Sequence, residues 1–326
     1  MSQEPETVPS ASPLPFRIAF FLVAGLILGL AIALPFAAQS LFFDLFSSVA
    51  SDVYAFDGMG APGARGQIHA SVTDLDESRL KVTLRVSGHR TCQGPCPFGA
   101  RLVLFSLWTS DGDPAGMPPS AKVDLPITQT LVTESVDLPI HGHPTLYPFD
   151  TYDLWLGIGL AAITPDGTIR PLTREEASGM VRVTLQEQLP REQMDKPVAM
   201  SPTDVSDASD PYQLQGVEAF RFYRPLHERV LAVLLVLLVA AAAAYAVFMR
   251  PLHDLVINSG GLVLGVWGIR SLLTPGTASR TLVDLALSLV ILFLLGAITF
   301  RAVQFLYVRG GFRRVHPDAA GPPSRP

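Results

Sequence analysis

Few residues in this chain combine the type and spacing that chemistry needs. Cys92 and Cys96 stand in a C-x-x-x-C arrangement, Cys92-Gln-Gly-Pro-Cys96, on a turn. Outside a reducing compartment two thiols this close form a disulfide by default. The loop they would close is small, so the bond stabilises by roughly 2 kcal/mol. A thioredoxin-like redox site needs C-x-x-C in a βαβ setting, and both are missing. A metal centre would need two further ligands. A local disulfide is expected, with unpaired thiols or a metal or redox pair as alternatives.

His141-Gly-His143 could set two imidazoles on one side of a strand, as a metal pair requires. The nearest carboxylate in sequence is Asp150, so loop histidines at a strand entrance are the plainer reading. Tyr147-Pro-Phe-Asp-Thr-Tyr152 opens a strand. Pro148 stiffens the approach, Phe149 is expected to plug the core, and Asp150 to accept backbone N–H groups. A contact with a partner is the alternative. Arg270 and Asp284 flank the last apolar loop, and charged groups at membrane depth are costly and often functional. A structural account is also ready: Arg270 can snorkel, and Thr281-Leu-Val-Asp284 matches a capping box. No nucleophile elbow, phosphate loop, zincin motif or spaced carboxylate pair is found. No catalytic residue, cofactor or metal site is expected, and a non-enzymatic role is preferred.

The elements that must hold these groups follow from hydropathy. The chain has 326 residues, 48% hydrophobic and only 16% charged, where soluble domains usually carry about 25% charged. Net charge is −5 with no long basic run, which argues against a nucleic-acid partner. Val230 to Phe248 is an uncharged run, long enough as a helix to cross the roughly 30 Å hydrocarbon core. Within lipid such a run must satisfy its own backbone, so a helix is predicted. Similar reasoning places spans at 16–36, 228–249, 254–273 and 281–306, after a disordered segment 1–15 and before a cytoplasmic tail 307–326. The first run is too long for a signal peptide and lacks a basic leader, so an uncleaved anchor is expected. Gly25, Gly29 and Ala33 in that anchor, and Gly261, Gly265 and Gly268 in the third span, fall on single faces suited to close helix contact.

Between the spans, residues 37–224 suffice for one independent core. Short alternating runs begin at Arg65, Arg79, Arg101, Thr130, Tyr152, Met180 and Gln213, with Gly, Pro and Asp punctuation between them. That pattern predicts an antiparallel β-sandwich, with 187–210 as a loop or linker. The expected fold class is therefore an α+β membrane protein: an N-terminal helix, an extracytoplasmic β-sandwich and three C-terminal helices.

Four spans put both termini on one side. Arg301, Arg309, Arg313 and Arg314, with Arg17 and Arg250, assign that side to the cytoplasm of an inner membrane. Arg221, Arg224 and Arg229 oppose this, but long domains translocate largely regardless of charge.

Three short motifs carry a family likeness: Tyr147-Pro-Phe-Asp150 followed by Tyr152; Phe222-Tyr-Arg-Pro225; and Gly268-Ile-Arg270 with Pro275 and Asp284. In these the chain resembles the membrane proteins grouped as domain of unknown function 4436. It departs from their pattern in the loop Thr274-Pro-Gly-Thr-Ala, which is less proline-rich. The resemblance implies an anchored extracytoplasmic β domain and brings no activity. A Pro-Phe-Asp motif in a sandwich feeding membrane helices is also similar to pentameric ligand-gated channels. Those place four helices after the sandwich and cysteines around the motif, neither of which holds here. The expected function is partner or ligand binding outside the bilayer, with an envelope protein or a second copy as companion. A channel or transporter path at Arg270 and Asp284 is the alternative.

Overall fold

A computed structural model describes residues 52–57, 59, 64, 66–90, 98–107, 119–125, 131–189, 191–200, 214–249, 251–273 and 280–312, with scattered positions within 21–42. Two compact units emerge. One covers 38–229 with 276–281 and holds the strands; the other covers 1–37, 230–275 and 282–326 and holds the long helices.

The strand unit contains two sheets. The first has the order β1 (Val53–Ala55), β10 (Val181–Glu187), β2 (Gly66–Asp76), β3 (Lys81–Arg90) and β6 (Leu131–Pro139). The second runs β11 (Gln193–Met194), β13 (Gly216–Tyr223), β8 (Thr151–Ile163), β4 (Gly99–Ser106) and β5 (Ser120–Leu125). β12 (Val198–Met200) pairs with β13; β7 (His141–Gly142) and β9 (Ile169–Pro171) pair with β8.

Period-two patterning explains the first sheet. Ile68, Ala70 and Val72 of β2, Val82, Leu84 and Val86 of β3, and Val181, Val183 and Leu185 of β10 all turn inward and are buried. They share one apolar cluster with Leu102, Leu104, Leu154, Leu156, Phe220 and Phe222 of the second sheet. Each fully buried Leu or Phe contributes roughly 1.5–3 kcal/mol relative to leaving it exposed.

β8 breaks the alternation, because it is buried on both faces from Leu156 to Ala162. Its second face carries a smaller cluster of Phe105, Leu107, Leu214 and Val217. Gly157 makes room for that cover, since a Cβ there would stand 2.6 Å from Leu107 Cδ1.

One pairing departs from the expected antiparallel arrangement. β10 lies parallel to β2, in register from Val181↔Gly66 to Glu187↔Val72. The chain reaches β10 through a seven-residue helix, α1 (Arg174–Met180), closed at its start by a Thr173/Glu176 capping box. Both strands have the same alternating pattern whichever way they run, so hydropathy does not distinguish the two pairings.

The helical unit contains α2 (Leu226–Met249), α3 (Leu252–Leu273) and α4 (Leu282–Phe312). Leu226–Phe248, Leu252–Ser271 and Leu282–Tyr307 are each long and apolar enough to cross a membrane. The chain is thus a membrane protein with a β domain. The described positions within 21–42 are all helical. Ala243, Ala246 and Val247 pack with Leu255 and Leu294. Among the described residues, a Cβ at Gly25, Gly29, Gly261, Gly265 or Gly268 would meet nothing within 4 Å.

Candidate functional site

The two motifs on the β domain meet. A single 3-10 turn, Pro144–Leu146, delivers Tyr147, and the Tyr147–Pro148 peptide is cis. Tyr147 is buried while Phe149 is 48% exposed, so the tyrosine and not the phenylalanine closes over the interior. Asp150 is fully buried at the start of β8. Its Oδ2 accepts the Tyr152 hydroxyl at 2.9 Å and Arg224 Nε at 3.3 Å.

Arg224 follows β13 and stands two residues before α2. Its guanidinium is enclosed by four carboxylates. Nη2 pairs with Glu77 in the β2–β3 turn. Nη1 lies 3.0 Å from Glu192 and 3.7 Å from Glu228 in the first turn of α2. Tyr147 presents its ring 5.3 Å from the guanidinium carbon, a cation–π contact.

One buried cation cannot hold four ionised neighbours at low cost. Burial pushes the Glu192 carboxyl up to about 7 and raises Asp150, against the hydrogen bond from Tyr152. Burial likewise pushes the Tyr147 hydroxyl up to about 12. With side-chain exposures of 5% at Arg224 and 0% at Asp150, the cluster offers little surface to a substrate. It acts as a clasp that ties the β2–β3 turn, the opening of β8, the segment before β11 and the first turn of α2 to one guanidinium. The sequence exposed both motifs but not their meeting, nor Glu77, Glu192 and Glu228 as their partners.

Two further buried polar groups had no sequence signal. Gln215 Oε1 accepts Leu160 N–H at 2.6 Å and its Nε2 donates to Leu172 O at 2.7 Å. Glu218 Oε1 accepts Asp57 N–H at 2.7 Å, while burial pushes its carboxyl up to about 7.

The outer face of the first sheet is organised differently. Strand register lines its outward residues in three rows. The first is Arg182, Gln67, His89 and Leu131; the second is Thr184, His69, Ser87 and Thr133; the third is Gln186, Ser71, Arg85 and Ser135. Val53, Gly88 and all residues of the first two rows except Thr133 line a groove of about 430 Å³. His69 is fixed at its centre, with Nδ1 3.0 Å from Thr184 Oγ1 and Nε2 2.9 Å from Gln186 Oε1.

The remaining sequence candidates fall elsewhere. Cys92 and Cys96 lie outside the described residues. His141 and His143 sit edge to face, 5.4 Å between ring centroids. Among the described residues no group of three or more His, Cys, Asp or Glu is placed to hold a metal ion. Arg270 Nε donates to Asp284 Oδ1 at 2.5 Å, so the two charges flanking the last loop meet directly.

No curated protein matches this sequence. Residues 61–211 match the profile of DUF4436, a domain of unknown function. The match runs from β2 to β12 and takes in the three rows, Glu77, Asp150 and Glu192; over that stretch it supports membership of the DUF4436 family.

Proposed function

We propose that this chain is a multi-pass protein of the inner membrane that holds its β domain, a sandwich, outside the cytoplasm to bind a ligand or partner. It is not an enzyme on this reading. The observation that carries it is the groove across Gln67, His69, Ser87, His89, Arg182 and Thr184, a concavity on a five-stranded sheet that sets polar side chains beside Val53 and Leu131. The Arg224 clasp supports the same reading, because it keeps the domain rigid next to the covalent junction with α2. The span within 16–36 serves as a fourth helix, with both termini cytoplasmic beside the basic cluster of Arg301 to Arg314. Companions are the bilayer itself and an envelope component or a second copy of the chain.

Two experiments test this. Protease added to intact spheroplasts is expected to cut the β domain; full protection there overturns the topology. Purification from native membranes in mild detergent is expected to bring companion material with the wild type and less with Gln67→Trp, which fills the groove from an exposed position. Identical recovery with both removes the groove from the proposal.

A second reading rests on the Arg270–Asp284 pair, with side-chain exposures of 47% and 14%. In an oligomer this pair would line a polar path through the bilayer. Conductance or uptake altered by Arg270→Ala without loss of assembly would favour it.

A further inference from the structure

We infer that the groove takes an extended polyanion bearing hydroxyl groups, an anionic glycan in chemical terms. The inference rests on the binding role proposed for the β domain and adds the class of ligand.

Charge is the first argument. The chain carries a net charge of −5, yet the three outward rows contain Arg182, Arg85, His69 and His89 and no carboxylate. The nearest acidic side chains on this face, Asp74 and Asp137, come one register step beyond the third row, where Thr83 Oγ1 donates to Asp137 at 2.9 Å. Neither Arg182 nor Arg85 has an ion-pair partner among the described residues, although other exposed arginines of this domain do: Arg79 with Asp76, Arg170 with Glu176 and Arg221 with Asp153.

Spacing is the second argument. Arg182 and Arg85 stand two strands and two rows apart, about 16 Å between their backbones at ordinary sheet spacings. One phosphate or carboxylate cannot reach both guanidinium groups. A chain with repeated anionic groups can, with each guanidinium forking two N–H donors onto an oxyanion. Between the two cations lie Gln67, Thr184 and Ser87, whose hydroxyl and amide groups suit alcohol groups on the ligand.

The lack of large stacking rings separates this class from nucleic acid. No Phe, Tyr or Trp stands in the three rows, and the His69 imidazole is held between Thr184 and Gln186, whereas single-stranded nucleic acids are held largely by base stacking on aromatic faces.

The test uses the full chain in a neutral detergent, with fluorescent dextran sulfate, neutral dextran of the same length and a sixteen-residue oligothymidine as probes. Dextran sulfate is expected to bind and to weaken with added salt. Arg182→Gln combined with Arg85→Gln is expected to weaken it by about tenfold or more. Arg79→Gln and Arg170→Gln, on exposed arginines away from this face, are expected to change it by less than about twofold. Equal loss in the control variants overturns the site. Equal affinity for neutral dextran, or tighter binding of oligothymidine, overturns the ligand class. Absence of dextran sulfate binding while Gln67→Trp still strips companion material overturns the anion and leaves the binding role standing.

Discussion

Arg224 Nε lies 3.3 Å from Asp150 Oδ2, a contact between side chains 74 positions apart with exposures of 5% and 0%. It joins the residue that opens the central strand β8 to the residue that leads into α2. Removing one member of a buried charge cluster leaves the others uncompensated, typically at about 3–5 kcal/mol. Arg224→Met should lower the melting temperature of the β domain by roughly 6–20 °C. The loss should be larger at pH 8 than at pH 5, where the abandoned carboxylates are closer to neutral. Arg224→Lys should recover only part of it, since a single ammonium lacks the planar fork that reaches several carboxylates. Circular dichroism melts of the three proteins at both pH values provide the check; a melting point unchanged in Arg224→Met would remove the clasp.

Glu192 and Glu218 set a pH dependence of defined sign. Both carboxyls stand at about 7 in the folded protein because burial disfavours the ionised form, against about 4.3 in an unfolded chain. Between those values the folded state binds more protons, so stability falls as pH rises. The contribution is complete below about pH 4.3 and lost above about pH 7. Glu218→Gln keeps an acceptor for Asp57 N–H and removes the titration. It should raise stability at pH 5 by only about 1 kcal/mol and at pH 8 by on the order of 2–3 kcal/mol. Urea unfolding of both proteins at pH 5, 6.5 and 8 measures this; parallel pH profiles would contradict it.

Gly216 opens β13 under a tight roof. A Cβ there would stand 2.8 Å from the Asp57 carbonyl oxygen and 3.0 Å from the Phe56 ring. Backbone on one side and a buried ring on the other leave little room to move. Gly216→Ala should destabilise the domain by about 1–3 kcal/mol through overpacking. Gly167, which has no atoms near its Cβ position but a φ of +84°, should respond to alanine through backbone strain alone, at about 1 kcal/mol. Denaturant midpoints rank the two.

Arg270 and Asp284 lend themselves to a double-mutant cycle. Each single alanine removes one half of the Arg270–Asp284 ion pair and leaves the other charge without that neutralising partner, while the double variant removes both charges. Accumulation in membranes should therefore fall for Arg270→Ala and for Asp284→Ala and return toward wild type in the double variant. Failure of the double variant to recover would show that the pair is needed for more than mutual neutralisation.

Much of this architecture was readable in advance, and the reasons are local. The three C-terminal helices were legible because a predominantly apolar run long enough to cross hydrocarbon leaves its backbone few other choices. β2, β3 and β10 were legible because inward Val, Leu and Ile alternate with polar residues. β8 was legible as a strand but not as one buried on both faces, since Leu107 and Leu214, which cover Gly157, lie far from it in the chain.

What the amino-acid order determined alone was element type, the membrane class of the chain and the two short motifs around Asp150 and Arg224. Only the tertiary structure decided that these motifs share one guanidinium, that β10 runs parallel to β2, and that Arg182, His69 and Arg85 face the same way without a carboxylate among them. The physical reason is range. Helix and strand periods act over a few residues, whereas the partners of a buried charge and the register of a sheet depend on which distant segments close the core.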